Sequence, residues 1–436
     1  MNLEIFDRLE SEVRSYVRSF PTVFSRAQGA QLTDEAGRSY VDFFSGAGTL
    51  NYGHNNPALK RRLIEYLERD GVVHGLDMAT VAKKEFLETF ERLILQPRDL
   101  SYKVQFPGPT GTNAVEAALK LARQVKGRSS IVSFTNGFHG VSGGALATTG
   151  NSKFRDAAGV ALGNTTFMPY DGYLGAGADT AGYLERMISD RSSGVDLPAA
   201  VIVETVQGEG GVNVASFGWL QAVEQVCRRH DMLMIVDDIQ VGCGRTGTFF
   251  SFERAGISPD IVTLSKSISG FGLPMALVLM KPQIDVWAPG THSGTFRGNN
   301  LAFVTAKETL ELYWATPQFE DSLRRKALIV GASLAHIARA YPGGRFTVRG
   351  RGMIQGLAAG DASLADRVSG RAFRQGLIIE TSGAESQVLK LLPPLTIDEL
   401  TLRKGLDILE HSIAQELGAN PAAVEKSRVL RLAGAQ

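Results

Sequence analysis

The sequence predicts an α/β protein: a mostly parallel sheet flanked by helices on both faces, with a smaller α+β domain assembled from both ends of the chain. Three observations predict it. Short apolar runs of strand length recur through the middle of the chain, at Lys103–Phe106, Ser130–Phe134, Ala199–Val203, Met232–Val236, Ile261–Leu264 and Met275–Met280, with helical stretches between them. That alternation is the signature of βαβ units. Several of these runs are continuously apolar rather than alternating, as strands covered on both faces are. After about Asn300 the alternation gives way to long helical patterns and a Gly-rich segment, PGGRFTVRGRGMIQGL. At 436 residues the chain is long for a single core. The expected division is 1–60 for the N-terminal part of the small domain, 61–310 for the large domain and 311–436 for the rest of the small one.

Taken in order, Leu3 to Val17 carries apolar and charged positions at helical spacing and predicts an amphipathic helix. Gln31 to Phe44 reads as two strands joined by an Asp-Glu-Ala-Gly turn. Ser45 to Pro57, SGAGTLNYGHNNP, is a Gly/Asn-rich loop, too polar and flexible to be core. It is either a connector or a substrate-side wall. A helix is expected over Ala58–Glu68, and others over Asn113–Val125 and Trp219–Arg229. Beyond Asn300, strands are expected near Met353–Leu357 and Leu377–Ile379. The last stretch, Asn420–Gln436, receives no assignment.

Composition narrows the function. A formal charge of +1 offers no electrostatic footprint for nucleic acid or an anionic membrane. Two cysteines make no disulfide framework, and no CxxC or HExxH spacing suggests a metal site. The segment Met1–Phe20 is too charged for a signal peptide, and no run approaches the roughly 18 apolar residues of a membrane span. A soluble cytoplasmic protein with reduced thiols is expected.

The chemistry centres on Asp231–Gly270. Two of the buried strands end there in polar residues, one in Asp237-Asp238 and the other in Ser265-Lys266-Ser267. Ligands of open α/β sheets sit beyond the carboxyl ends of the strands, so a carboxylate and an amine are delivered to one crevice. Desolvation lowers a lysine pKa and frees a neutral amine, which makes Lys266 the candidate Schiff-base lysine and Asp237 the candidate partner for the ring nitrogen of pyridoxal phosphate. Taken singly, a lysine after a strand is more often solvated and an aspartate there more often a helix cap.

Other stretches strengthen the pair. PGPTGTN, at Pro107–Asn113, opens a helix whose first amides suit a phosphate, with Gly111 for close approach and Thr112 for its hydroxyl. In FTNGFHGVSGG, at Phe134–Gly144, Phe138 and His139 follow a strand and are placed to meet a flat ring. The same stretch holds a literal G-x-S-x-G around Ser142, but six residues, Thr135–Gly140, separate it from the strand, so it is not a nucleophile elbow. GCGRTG at Gly242–Gly247 matches G-x-G-x-x-G, yet runs into aromatic TFFSF where a helix should open, and reads as a tight loop. ETVQGEGG supplies Glu204 and Glu209 after the strand Ala199–Val203. SGTFRGN supplies Thr295 and Arg297.

Together PTGTNAVEAALKLAR, NGFHG, ETVQGEGG, VDDIQVGCGRTG, TLSKSISGFGLP and GTFRGNNLA resemble, in order and spacing, the class III or ω-aminotransferases, pyridoxal phosphate enzymes of fold type I. The resemblance spans about Phe20 to Glu410. SFPTVF, GAGTLNYGHN and DGVVHGLDM are similar to the branch that serves ectoine biosynthesis. It implies a ping-pong transamination with L-glutamate as donor and L-aspartate 4-semialdehyde as acceptor. Other ω-amine substrates, such as 4-aminobutyrate or ornithine, and aminomutase or racemase chemistry are the alternatives.

Carried over residue by residue, the resemblance makes Lys266 the Schiff-base lysine and proton shuttle, and Asp237 the aspartate that keeps the pyridine nitrogen protonated. Gln240 bonds the ring hydroxyl, and Ile239 and Phe138 face the ring from opposite sides. Gly111 and Thr112 form the phosphate cup, with His139 and Glu204 beside the cofactor. Thr295 reaches the phosphate of a neighbouring subunit, which implies a homodimer. Glu209 is the switch glutamate that pairs with a substrate-binding cation. Lys390 stands where relatives have arginine, and Arg297 where they have glycine. Because lysine cannot grip a carboxylate with two parallel bonds, Arg297 or Lys390 is expected to supply the contact to the substrate carboxylate.

Overall fold

The computed structural model describes residues 3–418. The stretch 420–436, for which the sequence gives no assignment, lies outside the described residues. The central sheet has seven strands, ordered Lys103–Gln105, Leu277–Met280, Ile261–Leu264, Leu233–Asp237, Ala200–Val203, Ile131–Phe134 and Thr165–Met168. Leu277–Met280 runs against both its neighbours, and the remaining pairs are parallel.

Period-two alternation divides the strand side chains between two apolar layers. Ile131, Ile202, Ile235 and Ile261 pack with Ala114, Ala118 and Leu119 of the helix Gly111–Lys126. Val132, Val201, Met234 and Val262 pack with Leu220 and Val223 of Phe217–Arg229 and Phe303 of Asn300–Tyr313. The edge strand Thr165–Met168 has no counterpart in the sequence reading, because TTFM is only partly buried and lacks the apolar run that marks the inner strands.

The two ends of the chain share a further core. Phe24–Gln28, Gln31–Asp34 and Ser39–Asp42 form an antiparallel sheet, to which Leu377–Ile378 adds in parallel beside Ser39–Asp42. A second sheet joins Thr347–Arg351, Ile354–Ala358, Val388–Leu391 and Glu380–Ser382. Phe43 from the N-terminal piece packs in one cluster with Leu334, Leu357, Val368, Leu389 and Leu406. Arginines inside Thr347–Arg351 conceal that strand in the sequence. Their side chains turn to backbone acceptors instead: Arg349 donates to Gly211 O at 3.1 Å and Arg351 to Ala215 O at 2.6 Å.

Two expectations need correction. Leu3–Val17 is not one helix: Glu4–Leu9 and Tyr16–Ser19 are helical, and Glu10 between them is extended. Neither piece buries a residue, and short helices without a packed face are marginal in water. The loop Ser45–Pro57 is not too polar to be core, since Ser45, Gly48, Asn51, Tyr52 and Gly53 are buried. Asn51 is satisfied internally, its Nδ2 donating to Cys243 O at 3.1 Å and its Oδ1 accepting from Arg245. Among the described residues no helix is long and apolar enough to cross a membrane.

Candidate active site

The adjacent parallel strands Leu233–Asp237 and Ile261–Leu264 pair Asp237 with Thr263, so the two chains leave the sheet side by side. Asp237 is buried and held from three directions. His139 Nδ1 lies 2.7 Å from Oδ2, while the Thr263 hydroxyl and the Ile239 amide donate to Oδ1 at 3.1 and 3.2 Å. His139 is thus pinned behind the carboxylate.

Lys266 opens the turn Lys266–Ser269 with φ +51, a left-handed conformation unusual for a non-glycine residue and typical of functional sites. Its neighbours lock that geometry. Ser265 Oγ donates to Met275 O at 2.9 Å, Ser267 Oγ donates to Gly48 O at 2.6 Å, and the Asn51 amide donates to Ser267 Oγ at 3.2 Å. The loop Ser45–Pro57 therefore seats the lysine. Burial holds the Lys266 amine below the usual lysine range, with Glu209 opposing and Lys390 reinforcing the shift.

The helix Gly111–Lys126 aims its first turn at the same strand ends. A Cβ on Gly111 would meet Ile239 side-chain atoms at 3.0 and 3.1 Å, so only glycine leaves this approach open. Thr112 Oγ1 lies 2.6 Å from Ser142 Oγ, which donates to Glu116 Oε1 at 3.0 Å. Glu116 also accepts from the Ala145 amide at 3.0 Å. Ser142 is a link in a chain that orients Thr112, and its partners are a threonine and a glutamate instead of the histidine a serine nucleophile requires.

Glu204 and Phe138 are joined, with the Phe138 amide donating to Glu204 Oε1 at 2.9 Å. Burial, then the charge of Asp237, pushes the Glu204 carboxyl well above the usual range. The Phe138 ring meets Phe154 at 5.3 Å between centroids, and Ile239 closes against Gly111. Gln240 Nε2 donates to Glu209 Oε1 at 2.8 Å and to Ala47 O at 3.0 Å, leaving its own Oε1 buried without a donor.

Glu209 stands at the centre of a charged cluster. Lys390 Nζ, with a side chain 0% exposed, lies 2.6 Å from Glu209 Oε1 and 3.1 Å from Glu380 Oε1. Glu380 and Lys390 are register partners on neighbouring antiparallel strands, which fixes their contact. Burial pushes Glu209 upward, yet the ammonium groups of Lys390 and then Lys266 bring it down to about 2. Burial raises Glu380 to about 7 against the pull of Lys390. Burial would lower Lys390, but the two carboxylates hold it above the usual lysine range.

Lys266, Asp237, His139, Glu204, Glu209, Ile239, Gln240 and Lys390 are thus brought to one crevice. Thr295 and Arg297 are not. Thr295 is exposed, and Arg297 donates to Phe106 O at 3.1 Å, with Asp77 at 3.9 Å. Arg297 lines a cleft with Lys83, Trp287 and His292 that contains none of the crevice residues. Glu380 escaped the sequence reading. It directly follows the apolar run Leu377–Ile379, a signal of the kind that marked Asp237.

The aminotransferase class-III family profile matches residues 13–413. A diaminobutyrate-2-oxoglutarate transaminase of Bordetella parapertussis is 66% identical over 435 residues, covering 100% of this chain and 99% of that protein. The protein of the same name from Halomonas elongata is 58% identical over 418 residues, 95% of this chain and 99% of its own. Among solved structures, the ornithine aminotransferase of Toxoplasma gondii superposes with a TM-score of 0.81 at 26% identity, covering 94% of each chain.

Proposed function

The chain belongs to the class III aminotransferase family, and from that premise we propose that it moves an amino group from L-glutamate to L-aspartate 4-semialdehyde, giving 2-oxoglutarate and L-2,4-diaminobutyrate. The fold is that of the type I pyridoxal phosphate enzymes, and the cofactor is pyridoxal phosphate. The donor set fits it. First-turn amides at Gly111 suit a phosphate, the buried Asp237 a ring nitrogen, the donorless Gln240 Oε1 a ring hydroxyl, and Lys266 a carbonyl carbon. The observation that carries the reading is the side-by-side delivery of Asp237 and a desolvated Lys266 from paired strands.

When bound, pyridoxal phosphate supplies an electron sink for the charge left as a substrate carbon loses its proton. Asp237, fixed by His139, Thr263 and Ile239, would keep a proton on the ring nitrogen by remaining an anion beside it. Lys266 Nζ, whose pKa burial draws below the usual lysine range, would take the proton from the substrate carbon and return it. Thr112, held beside the first turn of its helix by Ser142 and Glu116, would stand next to the phosphate, whose oxygens the first-turn amides would hold. Glu209 would hold Lys390 in one half reaction and release it in the other. Because the donor's product leaves before the acceptor binds, a single crevice serves both substrates in ping-pong order.

The test is a visible absorption spectrum of the purified holoenzyme. Addition of L-2,4-diaminobutyrate bleaches the cofactor band, and 2-oxoglutarate restores it. Bleaching by 4-aminobutyrate or ornithine alone would keep the family and overturn the substrate.

A homodimer, in the cytoplasm, is part of the same proposal. Phe296, beside the exposed Thr295, is 68% exposed, and Val72, Val73, Leu76 and Met78 are also solvent-facing large apolar side chains. His74 meets the Phe296 ring at 5.4 Å, which joins the two segments into one patch. Apolar patches of this kind mark association surfaces. Phe296→Asp is expected to shift the sedimentation coefficient to that of a monomer and to weaken cofactor retention, because Thr295 would no longer reach the neighbour's phosphate. A dimer of unchanged stability in that variant overturns the assignment.

A further inference from the structure

The cluster around Lys390 contains one carboxylate more than a simple switch needs. With Glu209 as its only partner, a cation at position 390 would stand bare whenever Glu209 turned away. Here Glu380 faces Lys390 from the neighbouring strand at 3.1 Å, and the pairing register holds it there. If Glu209 leaves, what remains is an ammonium beside a carboxylate, with no net charge. Such a pair complements a ligand end that carries both charges, since each of its groups finds an opposite. It serves a bare carboxylate poorly, because Glu380 repels what Lys390 attracts.

We propose that Glu380 is a specificity-determining positioning residue which, by pairing with Lys390, selects substrates whose far end is a zwitterionic amino-acid group, that is, diamino acids, over those ending in a carboxylate alone. This rests on the transamination proposed above and names the feature of the substrate that the crevice reads. When the 4-amino group of L-2,4-diaminobutyrate is the reacting amine, the far end bears an ammonium and a carboxylate on one carbon. In 4-aminobutyrate the same end bears only the carboxylate. The two compounds therefore isolate the contribution of the second charge.

The cluster has the burial this requires. Lys390 and Glu380 are both largely withdrawn from solvent, where charge complementarity is screened least. Glu380, held near 7 by its burial, shifts toward the carboxylate form when a ligand ammonium arrives. Glu380 acts through Lys390 and on the ligand's far end, away from the reacting amine.

The test compares kcat and KM of the amine half reaction for L-2,4-diaminobutyrate and 4-aminobutyrate, followed by the cofactor absorbance of the holoenzyme. The wild-type protein is expected to favour diaminobutyrate in kcat/KM. Glu380→Gln removes the charge at constant shape and is expected to lower that preference by about tenfold or more, the scale of one buried charge contact, with the change carried by KM. The two substrates should move in opposite directions, diaminobutyrate weakening as 4-aminobutyrate strengthens, whereas a purely structural loss would weaken both. Glu380→Asp, which keeps the charge, should retain the wild-type direction of preference. Equal losses for both substrates in Glu380→Gln, or no change in their ratio, overturn the proposal. A wild-type protein that turns over diaminobutyrate without preferring it also overturns the proposal, even if Glu380→Gln does not fold, and leaves the transaminase reading standing. No turnover of diaminobutyrate at all removes the transaminase reading itself.

Discussion

Replacing Lys266 with alanine is expected to lower transamination by at least about 10⁴-fold, the upper range for loss of one positioned acid-base group alone. The effect is expected to be large because in the proposed mechanism Lys266 serves twice, as nucleophile toward the cofactor carbonyl and as carrier of the substrate proton. No nearby amine can replace it. Lys390 belongs to the same crevice, but its ammonium is held by Glu209 and Glu380 and its pKa is driven upward, so it stays protonated where Lys266 is depressed. The fold should be little changed, since the locking contacts around the turn come from Ser265, Ser267 and Asn51. Release of 2-oxoglutarate measures the loss, with thermal unfolding as the control. Activity within a hundredfold of wild type, in a protein of unchanged Tm, would remove Lys266 from the mechanism.

Arg245→Ala is expected to destabilise the fold by about 3–5 kcal/mol, since each buried acceptor deprived of its donor costs about 1–3 kcal/mol and the deleted side chain leaves a cavity. Arg245 has no exposed surface and donates to Met353 O at 3.1 Å, to Pro393 O at 2.6 Å and to Asn51 Oδ1. Those acceptors lie in three segments remote in sequence. Part of the gain is offset by burying the guanidinium, whose pKa burial pulls down to about 9. Asn51 also holds Ser267 through its amide, so loosening Arg245 should release the turn that presents Lys266. Urea denaturation followed by far-UV circular dichroism reads the stability, and the cofactor band should be lost at lower urea than in wild type. A change below about 1 kcal/mol would show that the three segments are held by their apolar packing alone. Arg245→Lys should recover only part of the loss, because an ammonium cannot span the acceptors that the planar guanidinium reaches.

The central sheet and the residues at its strand ends were legible because their signals are local. A continuous apolar run such as Ile261–Leu264 followed by Ser-Lys-Ser carries its meaning within a few residues, and so does Thr110-Gly-Thr ahead of an amphipathic helix. Signals that depend on partners far along the chain were not legible. Ser45–Pro57 reads as too polar and flexible for the core, yet Arg245 and Ser267 bond Asn51 and Gly48 from about 200 residues away. Thr347–Arg351 hides as a strand because its arginines are satisfied by the carbonyls of Gly211 and Ala215, about 136–138 residues away.

By itself the sequence carried the α/β architecture in its periodicity and the family, with its cofactor, in a set of linked motifs, and it offered Lys266 and Asp237 as candidates from their places at strand ends, since all of these are properties of short segments. Only the tertiary structure decided how the charges are shared. It joined Glu380 to Lys390 across two strands, set Arg297 in a different cleft and turned Ser142 into a support for Thr112. Electrostatic partnership falls off over a few ångströms in space and carries no fixed spacing along the chain, so it can be read only after the chain has folded.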